Sequence, residues 1–387
     1  MSKNNSANLQ PSASSDHKMS ALSIKQCSPD FTAQLASGDH HVENWLSIYP
    51  IVSQIITHFT KLPQPLLIIN SRSWEAAIAV TNETLPDNFQ SLALQNYNQQ
   101  TLFGRLNIEN DILVNFAAGE IANHQNGCLI LHISPLLVSP HLWFLLKAFL
   151  LNRTVPASSA VNSDKLKGPF PDPLDNEINT KVIIIANRFQ LDELAQIDPE
   201  YSQVDRLFTE LSSDIDTTDS NIQSLKFYCQ RLIKQSQIHA LTDDAMALLF
   251  HHLSSLCEHQ RKILFSPRII ENLLRYAQLL NPEKPTISAL EIQNVLDLQD
   301  QSHSLAQSFS DQAIIEKQLR LQLKGAEIGQ INGMSVVELM GYPNEFGEIF
   351  RISASDMLGD GEIIDVERKV DLPVIFMRKV CLLYKDT

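Results

Sequence analysis

Val182-Ile-Ile-Ile-Ala186 is an unbroken apolar run that ends at the polar residue Asn187. Two similar runs precede it, Leu66-Leu-Ile-Ile69 and Leu129-Ile-Leu-His-Ile133, and each leads toward a segment with helical signals. Continuous rather than alternating hydrophobicity is typical of strands covered on both faces, as in a parallel sheet between helix layers. The front half of the chain is therefore predicted to have an α/β fold.

Helical periodicity accompanies these runs. Apolar residues at helical spacing predict one amphipathic helix from Val42 to Phe59. A second helix is predicted to start near Pro140, and because it is apolar on nearly all sides it should be buried. Residues 154–180 are rich in Pro, Ser, Asp and Asn, and they predict a loop before the third strand.

From about residue 220 the strand signals disappear and helical periodicity dominates. Ser288 stands three residues before Glu291, the spacing of a capping box, and Gly325 follows the last periodic run as a candidate C-cap. We predict a separate helical domain, with helices over Ile222–Ile238, Asp243–Cys257, Pro267–Leu280, Ser288–Leu298 and Ser302–Leu323.

The character of the sequence changes again after Gly325. Strand-like stretches separated by glycine-containing turns follow, at Ser335–Leu339, Phe350–Ser353 and Glu362–Val366. A short β-rich unit is therefore predicted at the carboxyl-terminal end.

Composition narrows the function classes. Asp and Glu number 44 against 30 Lys and Arg, which gives a formal net charge of −14. Binding to nucleic acid phosphates needs concentrated Lys and Arg, so no specific nucleic acid partner is expected.

The 5 cysteines lie far apart without a CxxC pair and predict neither a zinc site nor a disulfide framework. No signal core or membrane-length apolar stretch stands out, so we predict a cytoplasmic protein outside the membrane.

The segment Gly329-Gln-Ile-Asn-Gly-Met-Ser-Val-Val-Glu-Leu339 carries the most specific resemblance in the chain. With Phe346-Gly347, Arg351-Ile352 and Gly359-Asp-Gly-Glu-Ile-Ile-Asp-Val-Glu-Arg368, it resembles the opening of the peptidase domain of Lon-related proteases. The resemblance implies that these residues form the first β-strands of that domain.

Upstream segments are similar to the AAA+ ATPase module of the same family. They agree with it in order and spacing from about residue 100 onward, and Arg261–Ala277 resembles its helical lid. The matching segments are Leu102-Phe-Gly-Arg105, Gly119, Asn126-Gly-Cys-Leu-Ile-Leu131, Pro140-His-Leu-Trp143 with Lys147, and Lys181–Asn187 with Asp198-Pro199.

The resemblance implies a division of the chain. Residues 1–25, rich in Ser, Asn, Gln and Lys, are predicted to be a disordered tail. An AAA+-like α/β domain is expected over 26–219, a helical lid domain over 220–325, and a truncated N-terminal part of a Lon peptidase domain over 326–387.

The family binds ATP and Mg²⁺, and two motifs test whether this chain can. A phosphate-binding loop Gly-x-x-x-x-Gly-Lys-Ser/Thr should follow the first strand, because successive backbone amides cradle the phosphates while the Lys meets their charge. Here the strand is followed by Asn70-Ser-Arg-Ser-Trp-Glu-Ala76, without Gly or Lys. Arg72 offers charge but not the cradle, so nucleotide hydrolysis is not expected.

The next strand should end in an acidic pair that holds Mg²⁺, yet it ends in His132, a poor ligand for a cation that prefers oxygen donors. A strand-end histidine hydrogen-bonded to a neighbour is the favoured interpretation, and no metal site is predicted. By resemblance, Asn187 and Arg268 are the candidate nucleotide-binding residues. A solvated arginine on a helix face explains Arg268 equally well.

The family's peptidase uses a Ser nucleophile activated by a Lys, far beyond the Gly-Gln-Ile-Asn-Gly motif. Ser335 and Ser353 lie inside predicted strands with no motif lysine beside them, so no catalytic residue is assigned. After about Leu372 the family pattern breaks off, although codons for Pro373–Val380 can be chosen that encode Gly-Asn-Ile-His-Ala-Lys-Gly in a shifted frame. A frameshift that truncated a longer protein is the hypothesis.

Two functions follow from these patterns. The first is a Lon-like ATP-dependent serine endopeptidase, which acts in protein catabolism but is inactive as this chain. The second is a non-catalytic AAA+-like scaffold that oligomerises or binds substrate. The resemblance implies unfolded or damaged protein substrates and a homo-hexameric ring, whereas an unrelated α/β protein would leave the ordered match from Leu102 to Arg368 as coincidence.

Overall fold

A computed structural model describes residues 30–36, 44–109, 112–155, 177–257, 259–318, 321, 324–325, 327–337 and 346–353. The chain divides into two compact units, Met1–Leu298 and Gln299–Thr387. The predicted tail, most of the 154–180 loop, Glu362–Val366 and the residues after Leu372 lie outside the described residues.

A five-stranded parallel sheet forms the centre of the first unit. The three apolar runs are neighbouring strands within it, and the strand order is β2-β5-β6-β1-β7. The predicted α/β fold with an AAA+-like parallel sheet is thus confirmed. The strands of this unit are β1 (Leu66–Ser71), β2 (Ser91–Leu94), β3 (Gly104–Glu109), β4 (Ile112–Ala118), β5 (Cys128–His132), β6 (Lys181–Ala186), β7 (Arg206–Leu211), β8 (Asp214–Asp216), β9 (Ala240–Leu241), β10 (Lys262–Leu264) and β11 (Thr286–Ile287).

Helices flank both faces of this sheet and continue beyond it. They are α1 (Phe31–Ala36), α2 (Pro50–Lys61), α3 (Trp74–Thr84), α4 (Gln99–Phe103), α5 (Glu120–Asn123), α6 (Ser134–Val138), α7 (Pro140–Asn152), α8 (Arg188–Ile197), α9 (Asp219–Gln235), α10 (Asp243–Ser255), α11 (Pro267–Leu280), α12 (Ala289–His303) and α13 (Leu305–Ile315). Among the described helices, none is both long and apolar enough to cross a bilayer.

Two hydrophobic cores explain why the strand sequences are apolar throughout. Alternate residues of β6 point to opposite faces, so that Ile183 packs in one core with α2, α3 and residues of α9–α12. Ile184 packs in the other core with α7 and α8. Both side chains have no solvent exposure, and burial of each contributes roughly 1.5–3 kcal/mol.

The predicted helix from Val42 to Phe59 is wrong at its start. A 3₁₀ turn covers Trp45–Ile48, and α2 begins only at Pro50. Proline lacks the N–H that a helix interior needs but is well suited to the first helical position. The apolar residues keep their helical spacing across this break because both segments pack in the same core.

Several elements were not predicted from the sequence, and β2 and the β3–β4 hairpin are two examples. Strand β2 is a short edge strand whose residues alternate between exposed and half-buried positions, so it lacks a continuous apolar run. Strands β3 and β4 form a separate antiparallel hairpin, in which Gly104 pairs with Ala118. Short alternating strands are easily missed beside long apolar runs.

The helical region follows the predicted segments except at its end. Helix α11 matches its predicted span of Pro267–Leu280, whereas the run predicted over Ser302–Leu323 forms α13 only as far as Ile315. Gly325 has a left-handed φ of 88° but stands well after that helix. Residues of α9–α12 contribute to the same core as one sheet face, and the domain boundary between residues 219 and 220 stays a prediction.

The second unit contains an antiparallel hairpin of β12 (Gln330–Val337) and β13 (Phe346–Ser353). Gly333 pairs with Phe350. A Cβ at Gly333 would lie 2.7 Å from the end of that ring. Strands were predicted in both places. That they open a peptidase domain remains an expectation from the resemblance.

Candidate functional site at the carboxyl edge of the sheet

Strand connectivity selects one edge of the sheet as the place for a site. Strands β1 and β6 are parallel neighbours, and Asn70 pairs with Ala186 near their carboxyl ends. The helices that follow them diverge, because Ala77 of α3 packs in one core and Leu194 of α8 packs in the other. Ligands of open α/β sheets bind at such a switch point, outside the carboxyl ends of the strands.

The turn between β1 and α3 is short and closed by its own side chains. Only Arg72 and Ser73 separate the strand from the helix. The Ser71 hydroxyl accepts a bond from the Ser73 amide at 3.2 Å and lies 3.1 Å from the Ser73 carbonyl oxygen. The Ser73 hydroxyl accepts a bond from the Ala76 amide at 3.1 Å, so it caps α3.

His132 is the last residue of β5, and β6 lies between β5 and β1 in the sheet. Its ring meets Trp74 edge to face, with centroids 5.3 Å apart. The Ser134 amide donates to His132 Nδ1 at 3.2 Å, which assigns the proton of the neutral ring to Nε2. Burial lowers the pKa of His132, and the nearby Glu75 carboxylate opposes this shift without overcoming it.

Arg268 reaches the start of α3. Its guanidinium lies 3.7 Å from the Glu75 carboxylate, and the two side chains are 71% and 37% exposed. The structure therefore brings this sequence-predicted residue beside the β1–α3 turn. We call Ser71, Ser73, Glu75, His132 and Arg268 the edge cluster.

Asn187, the other sequence-predicted residue, is the N-cap of α8. Its side-chain oxygen accepts a bond from the Gln190 amide at 3.0 Å, and the Gln190 side chain accepts the Asn187 amide at 2.9 Å, completing a capping box. Gln190 also lies 3.3 Å from the Ser134 hydroxyl. The carbonyl oxygen of the Asn187 side chain is thus used for helix formation.

Sequence reasoning missed one carboxylate at this edge. Glu210 on β7 pairs with Asn70 across the sheet and accepts a bond from the Asn70 side chain at 2.8 Å. In the sequence, Glu210 is one polar residue in a half-exposed strand, and that pattern does not predict a functional site. Within the described parts of the chain, no group of three or more His, Cys, Asp and Glu side chains could hold a metal ion.

Three residues that carried the resemblance meet away from this edge. The Asp198 carboxylate accepts bonds from Trp143 Nε1 at 2.9 Å, from Lys147 Nζ at 2.7 Å and from the Glu200 amide at 3.1 Å. We call Trp143, Lys147 and Asp198 the Asp198 cluster. Burial raises the pKa of Asp198, yet the bonds from Lys147, Trp143 and Glu200 more than offset burial, so the pKa lies below its ordinary value.

Gly119 and Gly127, which lie in segments that carry the resemblance, are needed for the packing of the backbone. A Cβ on Gly119 would lie 2.3 Å from the Leu102 carbonyl oxygen, and one on Gly127 would lie 2.3 Å from the Gln90 carbonyl oxygen. Backbone atoms cannot move aside cheaply in a packed interior, so no larger residue fits there. These glycines permit the close approach of two backbone segments.

Comparison with known proteins finds one matching family and two similar proteins. Residues 92–212 match the family described as "LonB-like, AAA domain". A protein of Haemophilus influenzae, provisionally named a Lon protease homologue, is 31% identical over 299 residues, or 75% of this chain and 48% of that protein. A protein of Escherichia coli with the same provisional name is 28% identical over 296 residues, or 74% and 49%.

The chain spans about half the length of these curated relatives. Among solved structures, NtrX from Brucella abortus in complex with ATP superposes with a TM-score of 0.45 at 14% identity, over 78% of this chain and 67% of that chain.

Proposed function

We propose that this chain is a Lon-related protein whose AAA module acts as a scaffold without binding or hydrolysing nucleotide. The observation that carries the proposal is the closed turn between β1 and α3. The Ser73 hydroxyl occupies the Ala76 amide at the start of that helix. A phosphate would need this amide and its neighbours free, in a longer glycine-containing loop.

The second strand end supports the same proposal. His132 is held neutral by burial, and its Nδ1 already accepts a bond from Ser134. Mg²⁺ takes oxygen ligands and retains several waters, so a neutral imidazole against the Trp74 ring does not replace carboxylates. The residues of this edge therefore fit neither ATP phosphates nor their Mg²⁺ ion. Asn187 and Arg268 remain proposals for contacts with any nucleotide that does bind.

Both curated relatives are provisionally named as homologues of Lon protease, and this similarity supports a role for the scaffold in protein degradation. The proposal is that the module binds or presents unfolded or damaged proteins within a homo-hexamer, while peptide cleavage is not a property of this chain. Ser335 and Ser353 lie within β12 and β13, and neither has the motif position of a nucleophile. The alternative, an ATP-dependent serine endopeptidase, requires both nucleotide binding and a Ser-Lys dyad.

Isothermal titration calorimetry with ATP or ADP and Mg²⁺ tests the nucleotide part. We expect no saturable heat up to about 1 mM nucleotide, which corresponds to binding weaker than about −4 kcal/mol. Arg72→Ala is the matched variant, because Arg72 is the exposed cation of the turn. Micromolar binding by the natural chain that Arg72→Ala weakens would place a nucleotide at this turn and overturn the proposal.

Casein digestion tests the peptidase part. The purified chain should leave casein intact with or without ATP and Mg²⁺. Cleavage that stops on treatment with a serine-directed inhibitor would establish the endopeptidase instead.

A further inference from the structure

The residues just before α2 contact the helical region, whereas α2 itself packs against β7 and α3. We call residues 44–49, which include the 3₁₀ turn, the strap. Trp45 of the strap is 1% exposed. Its ring centroid lies 4.8 Å from that of Tyr228 on α9 and 5.5 Å from that of Phe265, which precedes α11. One short segment therefore links the helices α9 and α11 to the helix that covers the sheet.

Hydrogen bonds hold the strap at two further places. The hydroxyl oxygens of Ser47 and of Ser224 on α9 are 2.7 Å apart. Because Ser224 donates its own proton to the Ser220 carbonyl oxygen, Ser47 is the donor of this bond. The Tyr49 hydroxyl donates to the Ser212 carbonyl oxygen at 3.0 Å, in the turn that follows β7. The strap thus bonds to a helix and to a sheet connection at once.

Helix α3, which follows β1, makes two ion pairs with the same helical region. Glu83 near its end pairs with Arg231 of α9, and Glu75 near its start pairs with Arg268 of α11 at 3.7 Å. Solvent reaches both pairs, so each contributes little. The buried aromatic contacts of the strap should therefore do most to hold the helices in place.

The hydrophobic core is continuous through the strap. Trp45, Ile69 of β1, Ile222 of α9 and Leu274 of α11 all belong to one cluster of buried residues. Domains that move relative to each other are usually joined by exposed linkers that few contacts cross. A rotation of the helices away from the sheet would here expose the Trp45 ring and the core beneath it.

We propose that the strap is a conformational lock that fixes α9 and α11 against the sheet, so that the helices and the sheet open as one unit. The contacts that form the lock lie within the chain and require no ligand. A fixed arrangement suits a scaffold, but the lock does not depend on the nucleotide proposal, since it is tested on the chain without nucleotide.

Hydrogen exchange of the full chain, followed by mass spectrometry, tests the lock. The measured quantity is the ratio of the exchange rate of the α9 and α11 amides to that of the β6 amides. In the natural chain we expect a ratio within about 3-fold of one, because elements that open together exchange together. Helices that already exchange more than ~10-fold faster than β6 would overturn the lock.

Trp45→Ala removes the main anchor. We expect the ratio to rise at least ~10-fold, because the loss of a buried aromatic residue should free the helices more than the sheet. Phe149→Ala is the matched control, since Phe149 is a fully buried aromatic residue of the other core. It should speed exchange without raising the ratio.

Two results would reduce Trp45 to an ordinary core residue and overturn the lock. One is a uniform increase in exchange in Trp45→Ala, and the other is an equal rise of the ratio in Phe149→Ala. If Trp45→Ala does not fold, Ser47→Ala/Tyr49→Phe removes only the two hydrogen bonds of the strap. The ratio should then rise about 3-fold, and an unchanged ratio overturns the lock.

Discussion

The Asp198 cluster and the edge cluster lie in the same unit but differ in burial and bonding. In the Asp198 cluster the ion pair is buried, with the Lys147 and Asp198 side chains 11% and 6% exposed, and a 2.7 Å contact joins them. In the edge cluster the Arg268 and Glu75 side chains are 71% and 37% exposed, and their charged groups are 3.7 Å apart. The Asp198 cluster lies in segments that contribute to the family resemblance, whereas the edge cluster holds residues that we propose do not bind nucleotide.

The largest expected effect is on the Asp198 cluster. Asp198→Ala leaves Lys147 buried without its carboxylate, which should lower the free energy of unfolding by about 3–5 kcal/mol. Urea denaturation measures this change. A Lys147→Met/Asp198→Leu double variant is the control, because replacing both charges with apolar groups should recover much of the loss. If Asp198→Ala lowers the free energy of unfolding by less than about 1 kcal/mol, the buried ion pair contributes no more than an exposed one and the two clusters do not differ in stability.

A second buried carboxylate, Glu291, should make the stability of the protein depend on pH. Hydrogen bonds from Lys284 and Ser288 lower the pKa of Glu291 from its ordinary 4.5 to about 2. Because the folded-state pKa is depressed, the stabilisation is fully present above the ordinary value and is lost as pH falls toward about 2. Glu291→Gln should cost about 1–3 kcal/mol at neutral pH.

Denaturation curves at several pH values check this prediction. The natural chain should lose stability between pH 4.5 and about 2, and Glu291→Gln should show a shallower loss over that window. Parallel pH curves for the two proteins would mean that Glu291 does not titrate as the structure implies.

The sequence predicted the sheet well because its signal was local. Val182–Ala186 is buried on both faces, and such a run has few other interpretations. Pro50 shows where the pattern failed: apolar spacing reports which face is buried, and it does not detect that two segments with different backbones share one core. Strand β2 was not predicted because it is an edge strand, and an edge strand needs no continuous apolar run.

The contacts of the candidate site could be predicted from the sequence only in part. The missing glycines and lysine after β1 are visible in the sequence, but the Ser73 cap and the Trp74–His132 contact depend on tertiary structure. Trp143, Lys147 and Asp198 belong to segments that contribute to the family resemblance. Nothing in their spacing revealed that they meet, because 51 positions separate Lys147 from Asp198.

A smaller effect is expected at Asn187, which separates a capping role from a nucleotide-binding role. Asn187→Ala removes the cap of α8 and should cost about 1 kcal/mol, whereas Asn187→Ser should retain most of it. Thermal unfolding with and without ATP and Mg²⁺ measures both quantities. An ATP-induced rise in Tm that Asn187→Ala abolishes would show that the side chain serves a nucleotide.

The smallest effect is expected at Arg268. Its ion pair with Glu75 is exposed on both sides, and such pairs contribute about 0–1 kcal/mol because water and salt screen them. Arg268→Ala should therefore change the free energy of unfolding by less than about 0.5 kcal/mol at physiological salt. Urea denaturation should give the same curve with and without ATP and Mg²⁺, with Arg268→Lys as the charge-conserving control. A larger loss that appears only with nucleotide, and that Arg268→Lys does not repair, would make the edge cluster a binding site and erase its difference from the Asp198 cluster.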